Sequence, residues 1–191
     1  SRGFPFHRCR RIRSSKYLRD LVSETSLDLS DLVMPYFIRE KSDSQKVKKM
    51  SEINRFSGSE LLKQLYKDQK NGIKAISLFP KVLEEHKSND ARESFNENNL
   101  VCRTLKIIKK EYPELIIICD VALDAYTKSG HDGLLDSDGK INNDKTIEVL
   151  KKMSINFAKS GCNVIAPSDM MDGRVKLIRE ELEMNKFFET C

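Results

Sequence analysis

Short apolar runs alternate with longer amphipathic stretches along most of this 191-residue chain. The apolar runs have the length of strands, and the longer stretches repeat apolar residues at helical spacing. A regular alternation of buried strands and helices predicts a parallel sheet with right-handed crossovers. Four such strand–helix units fit either an open doubly wound sheet or half of a (β/α)₈ barrel.

Four strands are predicted, and the third is the most apolar. Its core, residues 115–119, reads Leu-Ile-Ile-Ile-Cys, a pattern typical of a strand that is buried on both faces. Pro35 weakens the first strand as a central member of a sheet, because proline donates no backbone hydrogen bond. The predicted strands cover residues 31–38, 73–79, 115–123 and 162–167.

The helices are predicted from their periodicity and their end signals. Ser57 and Glu60 have capping-box spacing, and Asn71–Gly72 supplies a stop signal for the same helix. The polar stretch 82–99 lacks clear periodicity and predicts a long loop with a short helix. The predicted helices cover residues 57–70, 100–112, 144–160 and 174–187.

The chemistry is expected at the carboxyl ends of the strands, where both candidate folds carry their sites. No G-x-G-x-x-G or G-x-x-x-x-G-K-[ST] motif follows a strand, which argues against a nucleotide-binding open sheet. Instead, Asp120, Asp124, His131 and Asp132 gather after the apolar core of the third strand, residues 115–119. Carboxylates are costly to place at the end of a buried strand, so they indicate a cation, a substrate amine or a proton-transfer role.

Two other strand ends carry candidate site residues. Ser168 and Asp169 follow the fourth strand, and Phe79 ends the second. Each candidate has a structural alternative. Ser168 and Asp169 would otherwise cap the helix that begins near Arg174, and Phe79 would be ordinary barrel core.

The acids after the third strand also have structural alternatives. Asp120 would otherwise act as a capping or loop residue, whereas Asp124, His131 and Asp132 would belong to a solvated loop. In the segment after the fourth strand, Asp172 and Arg174 predict an ion pair that holds the loop in place.

The basic character of the chain is confined to its first residues. Seven of the 34 Lys and Arg residues and one of the 29 Asp and Glu residues lie within the first 20 positions, which leaves 27 basic and 28 acidic residues for the rest. Such an arm can bind nucleic acid or an anionic surface. We favour an arm that packs on a neighbouring subunit, because arginine suits interface ion pairs and apolar residues are interleaved with the charges.

Three further observations bound the class of protein. The five cysteines lie far apart without a zinc-like spacing, which fits a reducing compartment and predicts that Cys119 and Cys162 are core residues. No apolar run approaches the roughly 20 residues that span a bilayer, so no membrane partner is expected. The first residue is serine, which predicts a chain that is processed or cut from something longer.

The chain resembles the porphobilinogen synthase family, also called 5-aminolevulinate dehydratase. The resemblance rests most strongly on APSDMMDGR at 166–174 and DVALD at 120–124. Further matching segments are residues 8–13, 21–25, 31–35, 72–80, 95–100, 130–133 and 143–146.

The resemblance implies a (β/α)₈ barrel, of which this chain holds about the first four units, in residues 31–191. It implies that residues 1–30 form an arm that embraces a neighbouring subunit in a homo-octamer. It also implies a lyase that condenses two 5-aminolevulinate molecules into porphobilinogen, with loss of two waters, in haem and tetrapyrrole synthesis. No nucleic-acid partner is expected.

The family comparison also assigns roles to the candidate residues. Asp120, Ser168 and Asp169 would support catalysis, and Phe79, Asp124 and Asp132 would contact substrate. Many members hold zinc with three cysteines at the positions of Ala122, Asp124 and Asp132. Oxygen ligands suit Mg²⁺ rather than Zn²⁺, so zinc is not expected here. Mg²⁺ is expected as an allosteric or structural ion, with Asp124 and Asp132 as possible ligands.

The family's two Schiff-base lysines belong to segments that do not occur among these residues. The fragment alone is therefore expected to be inactive, and the alternative to an enzyme portion is an inactive assembly or regulatory fragment of the same family. The forms of residues 79–82, 96–98 and 131–133 resemble plant-type members. They predict a plastid, either chloroplast or apicoplast, with the bacterial cytoplasm as the alternative.

Overall fold

The computed structural model describes residues 3–41, 46–47 and 50–191. The chain divides into two compact units, Ser1–Asp31 and Leu32–Cys191. In the described part, no helix is both long and apolar enough to cross a bilayer.

The first unit contains three short helical segments. A 3₁₀ turn covers Cys9–Arg13, helix α1 covers Lys16–Leu21, and a second 3₁₀ turn covers Leu29–Asp31. Ser15 caps α1, because its hydroxyl accepts a hydrogen bond from the backbone N–H of Leu18 at 3.1 Å. None of these three segments contains a buried residue. The role of residues 1–30 as a packing arm stays a prediction.

The second unit is built on a six-stranded sheet with the order β2-β3-β1-β4-β5-β6. The pairs β3–β1, β1–β4, β4–β5 and β5–β6 are parallel, and only the pair β2–β3 is antiparallel. The parallel part confirms the predicted α/β architecture. The strands are β1 (Val33–Ile38), β2 (Lys46–Val47), β3 (Met50–Phe56), β4 (Ala75–Pro80), β5 (Ile116–Val121) and β6 (Val164–Pro167).

Four helices connect or follow these strands. The prediction is confirmed for each, with ends that differ by at most three residues. The last helix is the least accurate, since it ends at Met184 rather than at residue 187, and Lys186 beyond it has a φ of 64°. The helices are α2 (Gly58–Lys70), α3 (Leu100–Glu111), α4 (Asn143–Lys159) and α5 (Arg174–Met184).

The antiparallel pair β2–β3 was not predicted. Met50, Ile53 and Phe56 recur at every third residue of β3, whereas a half-buried strand is recognised by alternation at every second residue. The predicted loop at 82–99 is nearly correct, because it contains two 3₁₀ turns, Glu84–His86 and Arg92–Phe95.

Pro35 lies within β1, which has neighbours on both sides. It is paired with Ser77 of β4, but β3 meets β1 only at Phe37 and Ile38. The proline thus occupies the part of β1 that has a single partner. This arrangement explains how a central strand accommodates it.

The helices cover one face of the sheet. In β5, Ile117, Cys119 and Val121 are buried, whereas Ile116 on the opposite face is 44% exposed. The prediction that this strand is buried on both faces is therefore wrong, because the face that carries Ile116 is not covered. Cys119 and Cys162 are both buried, as predicted.

Candidate active site

The carboxyl ends of β1, β4 and β5 surround a cavity of about 250 Å³. The strands bring their ends together because they are parallel and in register: Phe37 is opposite Phe79, and Asp120 is opposite Ala166. The cavity is lined by Phe37, Arg55, Phe79, Pro80, Lys81, Asp120, Asp124 and Ala125.

Phe79 forms an aromatic wall together with Phe37. The two rings are stacked, with centroids 5.5 Å apart and an angle of 30° between their planes. Both side chains are only partly buried, and both face the cavity. Phe79 therefore lines the cavity in this chain, and its assignment as a substrate wall rather than ordinary barrel core stays a prediction.

Asp120 and Ser168 are in direct contact although they are 48 residues apart. The Ser168 hydroxyl donates a hydrogen bond to Asp120 Oδ1 at 2.5 Å. The contact joins the end of β5 to the residue that follows β6. Two predicted site residues are thus brought together, and neither acts as a helix cap in this arrangement, since α5 is capped at Gly173.

The pKa of the Asp120 carboxyl is raised above its ordinary value. Burial is the largest cause, and the charges of Asp124, Asp132 and Asp169 raise the pKa further, while the hydrogen bond from Ser168 lowers it. Four acids therefore lie close enough to influence one another. Raised carboxyl pKa values in a cleft are typical of groups that exchange protons.

Asp169 is almost fully buried, at 3% exposure, in the loop between β6 and α5. Its Oδ2 accepts a hydrogen bond from the backbone N–H of Met171 at 2.9 Å, and its Oδ1 lies 2.8 Å from Arg174 Nε. The second contact has the distance of an ion pair without the orientation of a hydrogen bond. Burial raises the pKa of Asp169, whereas Met171 and Arg174 lower it.

The predicted ion pair between Asp172 and Arg174 is wrong. Arg174 instead pairs with Asp169 and donates from Nη1 to the carbonyl of Met171 at 2.8 Å. The buried carboxylate is the stronger partner, because an exposed acid such as Asp172 keeps its hydration. The loop is held by an arginine, as expected, but through a different acid.

Asp124 and Asp132 take different positions. Asp124 is exposed and lines the cavity, whereas Asp132 is half-buried in the loop after β5 and does not line it. Asp132 is nevertheless near enough to raise the pKa of both Asp120 and Asp169. The two acids therefore belong to one electrostatic cluster with Asp120.

His131 makes hydrogen bonds with neighbouring residues of its own loop. Its Nδ1 accepts a hydrogen bond from the backbone N–H of Gly133 at 2.9 Å, and its carbonyl accepts one from Thr127 Oγ1 at 2.9 Å. These contacts support the structural alternative for this residue, since the ring nitrogen that bonds Gly133 is not available to a substrate.

The oxygen-rich donor set fits Mg²⁺ better than Zn²⁺. Asp124 and Asp132 stand where zinc-dependent relatives are expected to have cysteines, and Ala122 offers no ligand. Among the described residues, no three His, Cys, Asp or Glu side chains are grouped so that they alone could hold a metal ion. A Mg²⁺ ion here would keep several water ligands, which is its usual preference.

Two cationic residues of the cavity were not predicted. Arg55 belongs to β3, which the sequence pattern did not reveal, and Lys81 directly follows the end of β4. The position of Lys81 after Phe79 and Pro80 was a usable signal, because side chains that follow a strand end line the same rim. The cavity is therefore lined by two basic residues, two acids and the Phe37–Phe79 wall.

A parallel α/β sheet with acids at its carboxyl edge is typical of barrel enzymes. The sequence profile of one family, delta-aminolevulinic acid dehydratase, matches residues 6–191. The chain belongs to this family. The match includes most of the first unit and the whole sheet.

Relatives from plants, bacteria and archaea carry the same name. The chain is 40% identical over 183 residues to the chloroplastic delta-aminolevulinic acid dehydratase of Oryza sativa, covering 95% of this chain and 43% of the relative. It is 41% identical over 177 residues to that of Bradyrhizobium diazoefficiens, covering 92% and 50%. For Methanothermus sociabilis the identity is 41% over 187 residues, covering 96% and 57%. The chain thus spans about half the length of these relatives.

The fold is also that of a solved relative. The delta-aminolevulinic acid dehydratase (porphobilinogen synthase) of Toxoplasma gondii, crystallised with the reaction product porphobilinogen, superimposes with a TM-score of 0.91 at 41% identity. The alignment covers 96% of this chain and 52% of the relative. This similarity confirms the assignment of the chain to the first part of a barrel of this family.

Proposed function

We propose that the complete protein to which this chain belongs is a porphobilinogen synthase. It condenses two 5-aminolevulinate molecules to porphobilinogen, with loss of two waters, in tetrapyrrole synthesis. The observation that carries the proposal is the Asp120–Ser168 pair within a cluster of four acids, in a chain that superimposes on a product-bound relative.

The charged residues of the cavity suit the two ends of the substrate. 5-Aminolevulinate carries an ammonium group and a carboxylate. Asp120 and Asp124 offer negative charge to the ammonium group, whereas Arg55 and Lys81 offer positive charge to a carboxylate. Phe79 supplies an apolar surface in the same cavity, against which the carbon chain of the substrate can lie.

Asp120 is the best candidate for proton transfer in this half of the site. Burial and the neighbouring acids raise its pKa above the ordinary value, which favours the protonated form that a proton donor needs. Ser168 holds one carboxylate oxygen and leaves the other for a substrate group. The lysines that form the Schiff bases would come from segments outside these 191 residues, so the fragment alone is expected to be inactive.

The test is an assay of the complete protein with 5-aminolevulinate as the only substrate. We expect porphobilinogen to form and borohydride reduction to leave a covalent substrate adduct on a lysine. Asp120→Ala should lower kcat by about 100-fold or more, which is typical for a lost proton-transfer group. The matched variant Glu180→Ala, on the exposed side of α5, should keep full activity.

Neither product nor adduct in the complete protein would refute the synthase and favour the alternative, an inactive assembly or regulatory member of the family. Product formation with an unaffected Asp120→Ala variant would retain the enzyme but remove Asp120 from the mechanism.

We propose further that the protein needs no zinc and is stimulated by Mg²⁺. The proposal is supported by oxygen donors at Asp124 and Asp132 and by alanine at position 122. Removal of zinc with a selective chelator should leave activity unchanged, whereas removal of Mg²⁺ should lower it. Activity that is lost with the zinc chelator and restored by zinc alone would contradict the proposal.

The assembly and the compartment are proposed from the resemblance to the family. We propose a homo-octamer in which residues 1–30 embrace a neighbouring subunit, and a plastid location, with the bacterial cytoplasm as the alternative. Relatives include chloroplastic plant proteins and a bacterial protein. Microscopy of the tagged complete protein beside a plastid marker tests the location.

A further inference from the structure

The side chain of Asn143 bridges two segments that are 29 residues apart. Its Oδ1 accepts a hydrogen bond from the backbone N–H of Asp172 at 2.8 Å, and its Nδ2 donates to the backbone carbonyl of Asp172 at 3.2 Å. Both polar backbone atoms of a single residue are therefore held by one planar amide group. Because the two bonds share one rigid group, they restrain the orientation of Asp172 as well as its position.

Asp172 belongs to the loop 168–173, which carries two of the candidate site residues. Within this loop, Asp169 and Arg174 brace the backbone of Met171, with bonds of 2.9 and 2.8 Å to its N–H and carbonyl. These contacts make residues 169–174 a connected unit. Asn143 anchors that unit to the beginning of α4, and Ser168 lies at its other end, against Asp120.

The helix does not need Asn143 for its own cap. The preceding residue, Asn142, is the N-cap, because its Oδ1 accepts from the backbone N–H of Lys145 at 3.0 Å. Asn142 Nδ2 donates to the carboxylate of Asp136. The two consecutive asparagines thus have separate roles: Asn142 caps α4, and Asn143 binds the backbone of loop 168–173.

The residue type matters at this position. The bridge requires a donor and an acceptor side by side on a short side chain, and an amide is the group that offers both. An aspartate would keep the acceptor for the Asp172 N–H but would face the Asp172 carbonyl with a lone pair. An alanine would remove both bonds while remaining a good helix residue.

We propose that Asn143 is a positioning residue for the synthase reaction. By anchoring loop 168–173 to the start of α4, it keeps the Ser168 hydroxyl on the carboxylate of Asp120. It acts through the loop and has no contact with the substrate. The proposal rests on the proposed function of the complete protein.

The experiment compares Asn143→Ala with Asn185→Ala in the complete protein. Asn185 is a matched control, because it is also a helix-end asparagine, but it follows the far end of α5, about 16 Å along the helix from Arg174. Hydrogen exchange followed by mass spectrometry should show faster exchange in peptides covering 168–173 for Asn143→Ala only. Steady-state kinetics should show kcat reduced about 10- to 100-fold, since a displacement of about 1 Å is that costly.

The kinetic pattern separates positioning from a general loss of structure. KM should change less than about threefold, because Asn143 serves the reacting groups rather than uniform substrate binding. The thermal unfolding midpoint of Asn143→Ala should match that of Asn185→Ala. Asn143→Asp, which keeps one of the two bonds, should fall between the wild type and Asn143→Ala in both exchange and kcat.

Two results would overturn the proposal: unchanged exchange in 168–173 for Asn143→Ala, or faster exchange with an unchanged kcat. Failure of the proposed function looks different, since the wild-type protein would then make no porphobilinogen. In that case the exchange measurement still decides whether Asn143 anchors the loop, but the proposed role of Asn143 in the synthase reaction is refuted.

Discussion

The pKa of Asp120 is subject to opposing influences from its neighbours. Burial and three neighbouring acids favour its protonated form, and the Ser168 hydroxyl favours its charged form. The net effect is a folded-state pKa above the ordinary value of 3.8. The folded protein consequently binds a proton at Asp120 more tightly than the unfolded chain does.

The Asp120→Asn variant should therefore be more stable than the wild type at pH 7. In the wild type, stability falls as the pH rises from 3.8 through the raised folded-state pKa, because the carboxyl must ionise in an unfavourable place. The amide removes this penalty and keeps an acceptor for Ser168. Urea unfolding of both proteins at several pH values measures the difference, which should shrink towards pH 3.

A matched Glu180→Gln variant should leave the stability curve nearly unchanged, because this acid is exposed on α5. A stability gain for Asp120→Asn that is the same at pH 3 and pH 7 would show that the effect does not come from ionisation.

Gly161 is required by both its backbone and its neighbour. Its φ is 104°, and a Cβ atom would lie 2.8 Å from Lys109 Cγ. Gly139 is the natural comparison, since its φ is 79° but nothing lies near its missing Cβ. Gly161→Ala should cost about 2–3 kcal/mol of unfolding free energy and Gly139→Ala about 1 kcal/mol, because only the first adds a clash to the strain.

Urea unfolding measures both costs, and a double-mutant cycle with Lys109→Ala isolates the clash. The cost of Gly161→Ala should fall by about 1 kcal/mol when the lysine side chain is absent. Equal costs for the two glycines would contradict the role given to Lys109.

The residue types at the site could be predicted, but their pairing could not. Acids after β5 and a serine–aspartate pair after β6 are visible in the sequence, since strand ends are marked by local composition. The Asp120–Ser168 contact depends on the register of β5 and β6, a relation between segments 48 residues apart. For the same reason Arg174 was paired with the nearer acid in sequence, although the buried Asp169 is its partner.

At the scale of elements, the helices were predictable because their ends carry local signals. The Ser57–Glu60 box at the start of α2 is an example, and the structure contains it. The β2–β3 pair was missed because an antiparallel pair is defined by contacts between strands, and β3 lacks the alternation that announces a strand. Arg55 was missed as a residue of the cavity because it lies on β3, the strand that the sequence pattern did not reveal.

The α2 capping box also supports a buried arginine. Glu60 Oε2 accepts hydrogen bonds from the Ser57 N–H at 2.8 Å, the Ser57 hydroxyl at 2.7 Å and Arg39 Nη2 at 2.8 Å. The Arg39 side chain is 4% exposed, whereas Glu60 is 37% exposed. Glu60→Ala should cost about 2 kcal/mol, less than a fully buried pair because solvent screens Glu60.

Thermal or urea unfolding of Glu60→Ala measures this cost. Glu180→Ala, which removes an exposed partner of Lys176, is the control and should cost less than about 0.5 kcal/mol. Glu60→Gln should be intermediate, since it keeps an acceptor and loses the charge. A cost for Glu60→Ala no larger than that of Glu180→Ala would remove the link between the cap and Arg39.

At the scale of the whole molecule, the helices cover one face of the sheet and leave the other open. The strand residues Phe37, Phe79, Ile116 and Asp120 on this open face are all partly exposed or exposed. Periodicity predicted β1, β4, β5, β6 and the four helices of the second unit, but it left an open sheet and a half barrel equally possible. Family membership, rather than hydrophobic pattern, decided between them, because both folds bury the same strand residues against helices.

The first unit offers the last prediction. Tyr17 and Leu21 lie four residues apart on α1, on one face of the helix, and are 85% and 79% exposed. Apolar side chains at such exposure gain stability when a second surface covers them. In the complete protein, the double substitution Tyr17→Ser and Leu21→Ser should therefore reduce the size of the assembly while all charges of the arm remain.

Light scattering after size-exclusion chromatography measures this size at several protein concentrations. Replacing Arg8 and Arg10 by alanine is the matched variant that removes charge and keeps the apolar face. If apolar packing dominates, the serine variant should dissociate at a concentration at least about tenfold higher than the alanine variant, which corresponds to about 1.4 kcal/mol. An assembly that is unchanged in the serine variant would contradict an apolar docking role for α1.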